Sequence, residues 1–505
     1  MSEMTVSSTE VEMTGGDATA PGAAAPTGFN KYDPAEYDVK TDPNQGYKAT
    51  EIKLMSFKRP HMRSFHYSWF SFFLAFFAWF AFAPLMSVIA PQLGLTDQEK
   101  WTANICSVAS TVLMRFIVGP LCDKVGAKNL QAGLMVYGGV MILIAAVAVR
   151  DATSLIVMRF LIGVVGATFV PCQFWNSQLF VKEVAGAAQA IAGGWGNLGG
   201  GVTQVVMPLV YTACLTGMSE YNAWRYSFIV PGFAALICGV CMLRFSDDTP
   251  KGNISELVKA NAIQKKSATS SAREGFGEVV TWVLALQYGC CFGVELTVNN
   301  MMAGYFTTRF ELDLVAAGTI ASLFGLMNIF ARAIGGFLSD KMNKKFGFRG
   351  RLGVQFGCLM YEGIMLYIFS RMETIETAIP MLVMFSIGVQ ASEGSTFGVV
   401  PYVKPAATGS VSGVVGAGGN IGAVCWGFIF LFRGSMPPQD CLMIISFVVI
   451  FSALITPFVF IKEQPGLIFS PHLTPEQRAS IDKAQKATKV PTTDQEAPAE
   501  IKVNA

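Results

Sequence analysis

Residues 114–128 read MRFIVGPLCDKVGAK and residues 331–345 read ARAIGGFLSDKMNKK. In each stretch an arginine inside an apolar run is followed by glycine four residues on, by aspartate eight residues on, and then by basic residues: Arg115, Gly119, Asp123 and Lys124 in the first, Arg332, Gly336, Asp340 and Lys341 in the second. The offset is 217 for every pair (332 − 115, 336 − 119, 340 − 123). A second pair of stretches repeats at nearly the same distance: GWGNLGGG around Asn197 returns as AGGNIGAV around Asn420, an offset of 223 (420 − 197). The chain therefore reads as two structural repeats, which predicts a binding site on the pseudo-twofold axis between them.

What surrounds these stretches is apolar. Of 505 residues, 52% are hydrophobic and 14% charged, with a mean hydropathy of +0.44, which suits lipid rather than water as the solvent. Runs of about twenty apolar residues, long enough to cross a hydrocarbon core of about 30 Å, are expected near 67–92, 103–122, 128–149, 153–177, 187–214, 225–244, 277–302, 313–339, 349–370, 376–402, 408–432 and 438–462. The fold class expected is an all-α membrane protein of twelve helices in two pseudo-symmetric six-helix bundles. The domain boundaries follow: a disordered N-terminal tail over 1–66, bundles over 67–244 and 277–462, a polar central loop over 245–276, and a polar tail over 463–505. Residues 1 to about 50 lack any periodic apolar pattern and do not resemble a cleavable signal peptide. With both tails and the central loop in the cytoplasm, inner loops hold roughly eighteen Lys and Arg against about five outside, as the positive-inside rule requires.

Several function classes are excluded by composition. A net charge of +2 with basic residues scattered through loops gives no nucleic-acid surface. The eleven cysteines lie mostly inside apolar runs without zinc or disulfide spacing. His61, His66 and His472 fall outside the expected spans, so neither a histidine-based membrane enzyme nor a bound metal or cofactor is expected. Asn253 heads a glycosylation sequon, but on the cytoplasmic side.

Arg115 lies about two helical turns inside its span, judged from Asp123, and Arg332 repeats that depth. An arginine at such depth is costly unless it faces a wet cavity or a partner. Two planar, forked guanidiniums facing one cavity suit a trigonal oxyanion; pairing of each with a carbonyl or a distant acid is the alternative. The glycine-rich runs 192–201 and 413–424 lie inside the fifth and eleventh spans, where small residues allow helices to pack closely or slide.

The repeated Gly-x-x-x-Asp-basic stretch resembles the loop signature of the major facilitator superfamily, in which the aspartate (Asp123 and Asp340 here) pairs near helix ends and stabilises one conformation. MRFLIGVVGA at 158–167, with Arg159, resembles that superfamily's fourth-helix motif. The two glycine-rich runs resemble the paired signatures of the nitrate/nitrite porter family, and RFLIGVVGATFVPCQFWNSQLF (159–180), GVELTVNNMMAGYF (293–306) and ASEGSTFGVVPYV (391–403) are similar to its eukaryotic high-affinity nitrate transporter branch. The resemblance runs from about residue 67 to 462. It implies transport of nitrate and nitrite across the plasma membrane, with Phe169 and Tyr288 bounding the flat anion between the arginines. It further implies that Asn197 and Asn420 support the site and that Gly193, Gly194, Gly196, Gly416 and Gly419 permit backbone approach and helix bending. A single-span accessory protein, needed by some members, is left open.

An anion accumulated inside a negative cell needs a cation partner, since each charge moved against 100 mV costs about 2.3 kcal/mol. Glu295 and Glu393 lie within spans and are the candidates for proton symport, the alternative being a structural pair with Arg159 or a helix end. Glu362, in the ninth span, is left without an assignment. Exchange of nitrate for nitrite without protons, and a nitrate sensor of the same fold, are the competing functions.

Overall fold

The computed structural model describes residues 30–259, 276–404, 408–461 and 464–469. Eleven helices among them are long and apolar enough to cross a membrane. The first apolar stretch makes the twelfth as a broken helix, His61–Trp79 and then Met86–Leu93, here α1. The others are α2 (Asp97–Val125), α3 (Ala127–Ala148), α4 (Ala152–Gly163 and Phe169–Leu179), α5 (Lys182–Leu215), α6 (Glu220–Ser227 and Ile229–Phe245), α7 (Val279–Arg309), α8 (Leu314–Leu326 and Ala331–Phe346), α9 (Phe348–Ser370), α10 (Ile375–Val403), α11 (Thr408–Leu431) and α12 (Pro438–Ile455).

Local chemistry sets the ends. Thr96 and Glu99 form a reciprocal capping box at the start of α2, and Asp151 with Ser154 does the same for α4. Asp313 accepts from the backbone N–H groups of Val315 and Ala316 to start α8. Gly126, at φ +92°, lets α2 turn directly into α3, and a Cβ there would strike the Asp248 carboxylate. Several helices outrun their apolar windows: α8, expected to stop at 339, continues to Phe346, where Lys344 and Lys345 sit in its last turn and complement the helix dipole.

The packing obeys the repeat. In the first half α1 lies on α5, α2 on α4 and α3 on α6; in the second α7 lies on α11, α8 on α10 and α9 on α12. The halves meet where α2 lies on α11 and α5 on α8, two contacts that a twofold axis exchanges. Paired glycines permit these approaches, Gly201 against Gly325 between halves and Gly422 against Gly289 within the second; with no Cβ on either side, backbone packs on backbone.

The N-terminal tail, expected to be disordered to residue 66, is ordered from residue 30. Residues 41–42 and 48–49 form a small hairpin, α1 starts at His61, and the segment crosses the end of the first bundle that carries the central loop. The reason is a buried anchor that composition does not reveal. Asp247 accepts from Lys31 Nζ at 3.0 Å and from the Tyr32 hydroxyl, while Lys48 Nζ donates to the Ser177 carbonyl at 2.7 Å and Val181 N–H donates to the Ala49 carbonyl at 3.0 Å. His61 and His66, expected outside the helix, lie in its first turns, and a His61 ring nitrogen is 2.8 Å from the Tyr47 carbonyl. The first part of the expected central loop is folded as well. Burial pushes the Asp248 carboxyl above the usual carboxylate range, an effect offset in part by the backbone N–H groups of Lys128 at 2.7 Å and Ile254 at 3.2 Å. Residues 1–29 and 470–505 of the expected tails lie outside the described residues.

Candidate functional site

The two repeated arginines arrive at the interface between the halves, buried and close enough to feel each other's charge. Their partners differ. Arg115, on α2, donates through Nη1 to the Gly416 carbonyl of α11 at 2.8 Å and through Nη2 to the Gly166 carbonyl of α4 at 3.3 Å. With the Asn420 amide oxygen turned toward it, Asn420 accepts from Arg115 Nε at 3.2 Å and Nη1 at 2.6 Å; the opposite orientation would set the amide nitrogen against donors. The guanidinium lies over the Phe169 ring at 4.9 Å and the Phe292 ring at 5.5 Å. Among the described ion pairs, none joins Arg115 to a carboxylate.

Arg332, on α8 just past the 3-10 break at Met327–Ile329, forms an ion pair with Glu393 of α10 and donates to the Tyr288 hydroxyl of α7 at 2.8 Å. Glu393 in turn feels the charge of Glu295 of α7. Asn328 Nδ2 donates to Glu295 at 2.9 Å, and Asn197 Nδ2 lies 3.5 Å from its other oxygen. The site is thus asymmetric: a cation held by carbonyls and ring faces on one side, a neutralised arginine with an acidic pair on the other.

Phe169 and Tyr288 both reach the site, but Phe292 stands between them, stacked on Phe169 at 6.3 Å and on Tyr288 at 5.2 Å, and Phe397 meets both edge-on. Phe292 and Asn328 escaped the sequence reading although each lies four residues from a residue it identified, Tyr288 and Arg332, a spacing that puts both on one helix face. Of the glycines, Gly416 supplies a carbonyl to Arg115, Gly193 and Gly194 lie against Arg332 and the Asn328 carbonyl, and Gly196 lies against the Phe72 ring. A Cβ on Gly419 would sit 2.6 Å from Phe292 and 2.8 Å from Tyr288. Gly419→Ala is therefore expected to push both rings off their stack, costing about 1–3 kcal/mol. Purified protein should show both a lowered melting temperature and weaker anion binding; unchanged binding would mean the rings do not shape the site.

Arg159, Asp340, Gly336 and Gly119 lie elsewhere. Arg159 does not join the acidic pair: it donates to the Asn104 and Asn300 side chains, each at 2.8 Å, and to the Trp79 carbonyl at 3.0 Å, with Asn300 on the opposite half. The Arg433–Asp97 ion pair at 2.8 Å and the stacked Trp101 and Phe430 rings, 4.4 Å apart, lie on the same side, at the end away from the central loop. The described hydrogen bonds and ion pairs between the halves lie at the arginine level or on that side of it. Asp340 of the loop motif pairs with Arg351 of α9 at 2.7 Å and Gly336 faces the Gly394 carbonyl. Gly119 lies in open space on α2, and the side chain of Asp123 lies outside the described residues.

The chain is similar to known proteins over most of its length. The Major Facilitator Superfamily model matches residues 68–427. The chain is 40% identical to a high affinity nitrate transporter 2.5 of Arabidopsis thaliana over 84% of its own length and 83% of the relative's, and 37% identical to a high-affinity nitrate transporter 2.3 of Oryza sativa subsp. japonica over 84% and 82%. It is 40% identical to a nitrate transporter 2.2 of Chlamydomonas reinhardtii over 74% of each. In three dimensions it is similar to a bacterial homologue of the human lysosomal transporter Spinster, with a TM-score of 0.62 at 14% identity over 81% of this chain and 98% of that one. The fold, the repeat and these relatives together place the chain in the Major Facilitator Superfamily, in the family of the plant and algal high-affinity nitrate transporters, which are transporters and not enzymes.

Proposed function

We propose that this protein takes up nitrate, and nitrite by the same site, together with protons by alternating access of its two bundles. The observation that carries the reading is the inequality of the two arginines. Arg115 is a buried cation whose described partners are carbonyls, an amide and ring faces, so it presents net positive charge to an anion. Arg332 is already engaged by Glu393. A nitrate that takes both forks must displace that carboxylate, and a proton on Glu393 makes displacement cheap, because a neutral acid competes weakly for a guanidinium. Anion and protons then enter together, and with protons in excess of anions the membrane potential, worth about 2.3 kcal/mol per charge at 100 mV, drives uptake instead of opposing it. Phe169, Phe292 and Tyr288 bound the flat ion, Asn197 and Asn420 hold the groups around it, and the site glycines let the helices carrying them move. Glu295 shares the proton with Glu393, and Arg159 closes the outer side.

We place it in the plasma membrane with both termini in the cytoplasm, an orientation supported by the basic residues clustered at the central-loop end. A single-span accessory protein is a possible further partner. The test is nitrate-evoked current in oocytes expressing this chain alone, at about pH 5.5 and about pH 7.5. An inward current that grows with acid is expected. Electroneutral uptake insensitive to acid would favour exchange of nitrate for nitrite, and anion binding without transport a sensor.

A further inference from the structure

Glu362, on α9, is fully buried, and neither of its carboxyl oxygens accepts a hydrogen bond. The Ser392 hydroxyl of α10, close to it, donates to the Gly388 carbonyl at 2.9 Å. Its neighbours offer no cation. Among the described residues, the titratable groups near enough to feel its charge are Cys290 and Cys291 of α7, Cys358 of its own helix and Glu393 of α10, which itself interacts with Arg332 and Glu295. From α12, Ser446 and Ile450 pack on the adjacent Gly363. A structural carboxylate is kept by a counter-charge or several donors; this one has neither.

The interior between Glu362 and the central-loop end is polar. At that end the exposed Asp340 pairs with Arg351, whose Nη1 donates to Ser339 at 3.2 Å. One turn further along α9, Gln355 donates to Thr396 at 2.8 Å and to Gln287 at 3.2 Å and accepts from Ser395 at 2.5 Å, which also donates to the Ser392 carbonyl at 3.0 Å. Arg351, Gln355 and Glu362 lie four and seven residues apart, on one face of α9. This file of buried polar groups is confined to the second bundle and does not pass the anion site.

We infer that Glu362 is a proton-binding site of the transport cycle, through which protons arriving at Glu393 leave to the cytoplasmic face inside the second bundle, apart from the path of the anion. The inference rests on the proton-coupled reading above. The step is a proton transfer from the Glu393 carboxyl to the Glu362 carboxylate and onward to water at the Asp340 end, with no other bond made or broken. It separates the two substrates: the anion leaves between the halves and the proton within one of them, so anion release need not wait for a proton in the same cavity.

The test uses the full chain in liposomes enclosing a pH-sensitive dye, with nitrate and acid outside, and reads protons entering per nitrate. For Glu362→Gln the ratio is expected to fall on the order of a hundredfold, with partial rescue by Glu362→Asp. The nitrate-induced infrared difference spectrum should lose a protonated-carboxyl band that the wild type shows. A wild-type ratio and spectrum in Glu362→Gln would overturn the inference. If that variant does not fold, Ser392→Ala, which removes the hydroxyl beside Glu362, carries the test, with a slowed proton entry expected and an unchanged one overturning it. Absence of nitrate-driven proton entry in the wild type would instead sink the proton-coupled reading itself.

Discussion

Arg115→Lys protein, present at the membrane at the wild-type level, is expected to lose nitrate binding by roughly 10- to 100-fold. The guanidinium donates to two backbone carbonyls and the Asn420 amide while lying over Phe169 and Phe292, so its plane and direction are fixed before any anion arrives. An ammonium keeps the charge but has no plane to rest between rings and no fork to match two oxygens. Loss of one charge-assisted bond of about 1.5–3 kcal/mol gives the range stated. Direct binding by isothermal calorimetry decides it, with Arg115→Ala as the reference. Binding within a factor of about two of wild type would show that charge alone, and not a preorganised fork, recognises the anion. Arg332→Lys should also be damaging, but part of its effect comes from the Glu393 pair rather than from the anion.

The second large effect is expected from Glu393→Gln. On the proposed mechanism the Arg332 fork is occupied by the Glu393 carboxylate until a proton arrives, so acid is expected to promote nitrate binding. With glutamine, Arg332 is freed at every pH: binding at neutral pH should rise toward its acid value and the pH profile flatten. Accumulation should fail at the same time. A lone anion equilibrating across 100 mV, negative inside, settles about fiftyfold lower inside than out, the equivalent of about 2.3 kcal/mol. Cells expressing the variant should therefore exclude tracer nitrate where wild type concentrates it. Removing one partner of a buried ion pair is also destabilising, by about 3–5 kcal/mol, so melting temperature and surface abundance are measured alongside. Acid stimulation undiminished in a well-folded Glu393→Gln protein would end the displacement mechanism.

Glu393 illustrates where reading the chain stops. It is visible in the sequence as one of three acids at membrane depth, a candidate beside Glu295 with Glu362 unassigned, and Arg159 is the structural partner expected as the alternative. The structure pairs Glu393 with Arg332, sets Glu295 among Asn197, Asn328 and Glu393, and ties Arg159 to Asn104 and Asn300. Sequence spacing relates residues on one helix face; which face meets which across two helices depends on rotation and depth, and no run of residues encodes these separately. Phe292 and Asn328 were legible in principle, each one turn from an identified residue. The ordered N-terminal segment was not, because its anchors, Asp247 and the Ser177 and Phe180 region, are more than a hundred residues away in the chain.

The sequence by itself determined the helical membrane fold, its internal repeat and the two repeated arginines between the halves. These follow from hydropathy, from glycine and charge at fixed spacings, and from an internal repeat, all of them properties of the chain read in one dimension. Only the tertiary structure decided that the two arginines are unequal. A repeat fixes equivalent backbone positions, but the charge state of a buried side chain is set by whatever the other helices bring within a few ångströms, and Glu393 has no counterpart among the described partners of Arg115.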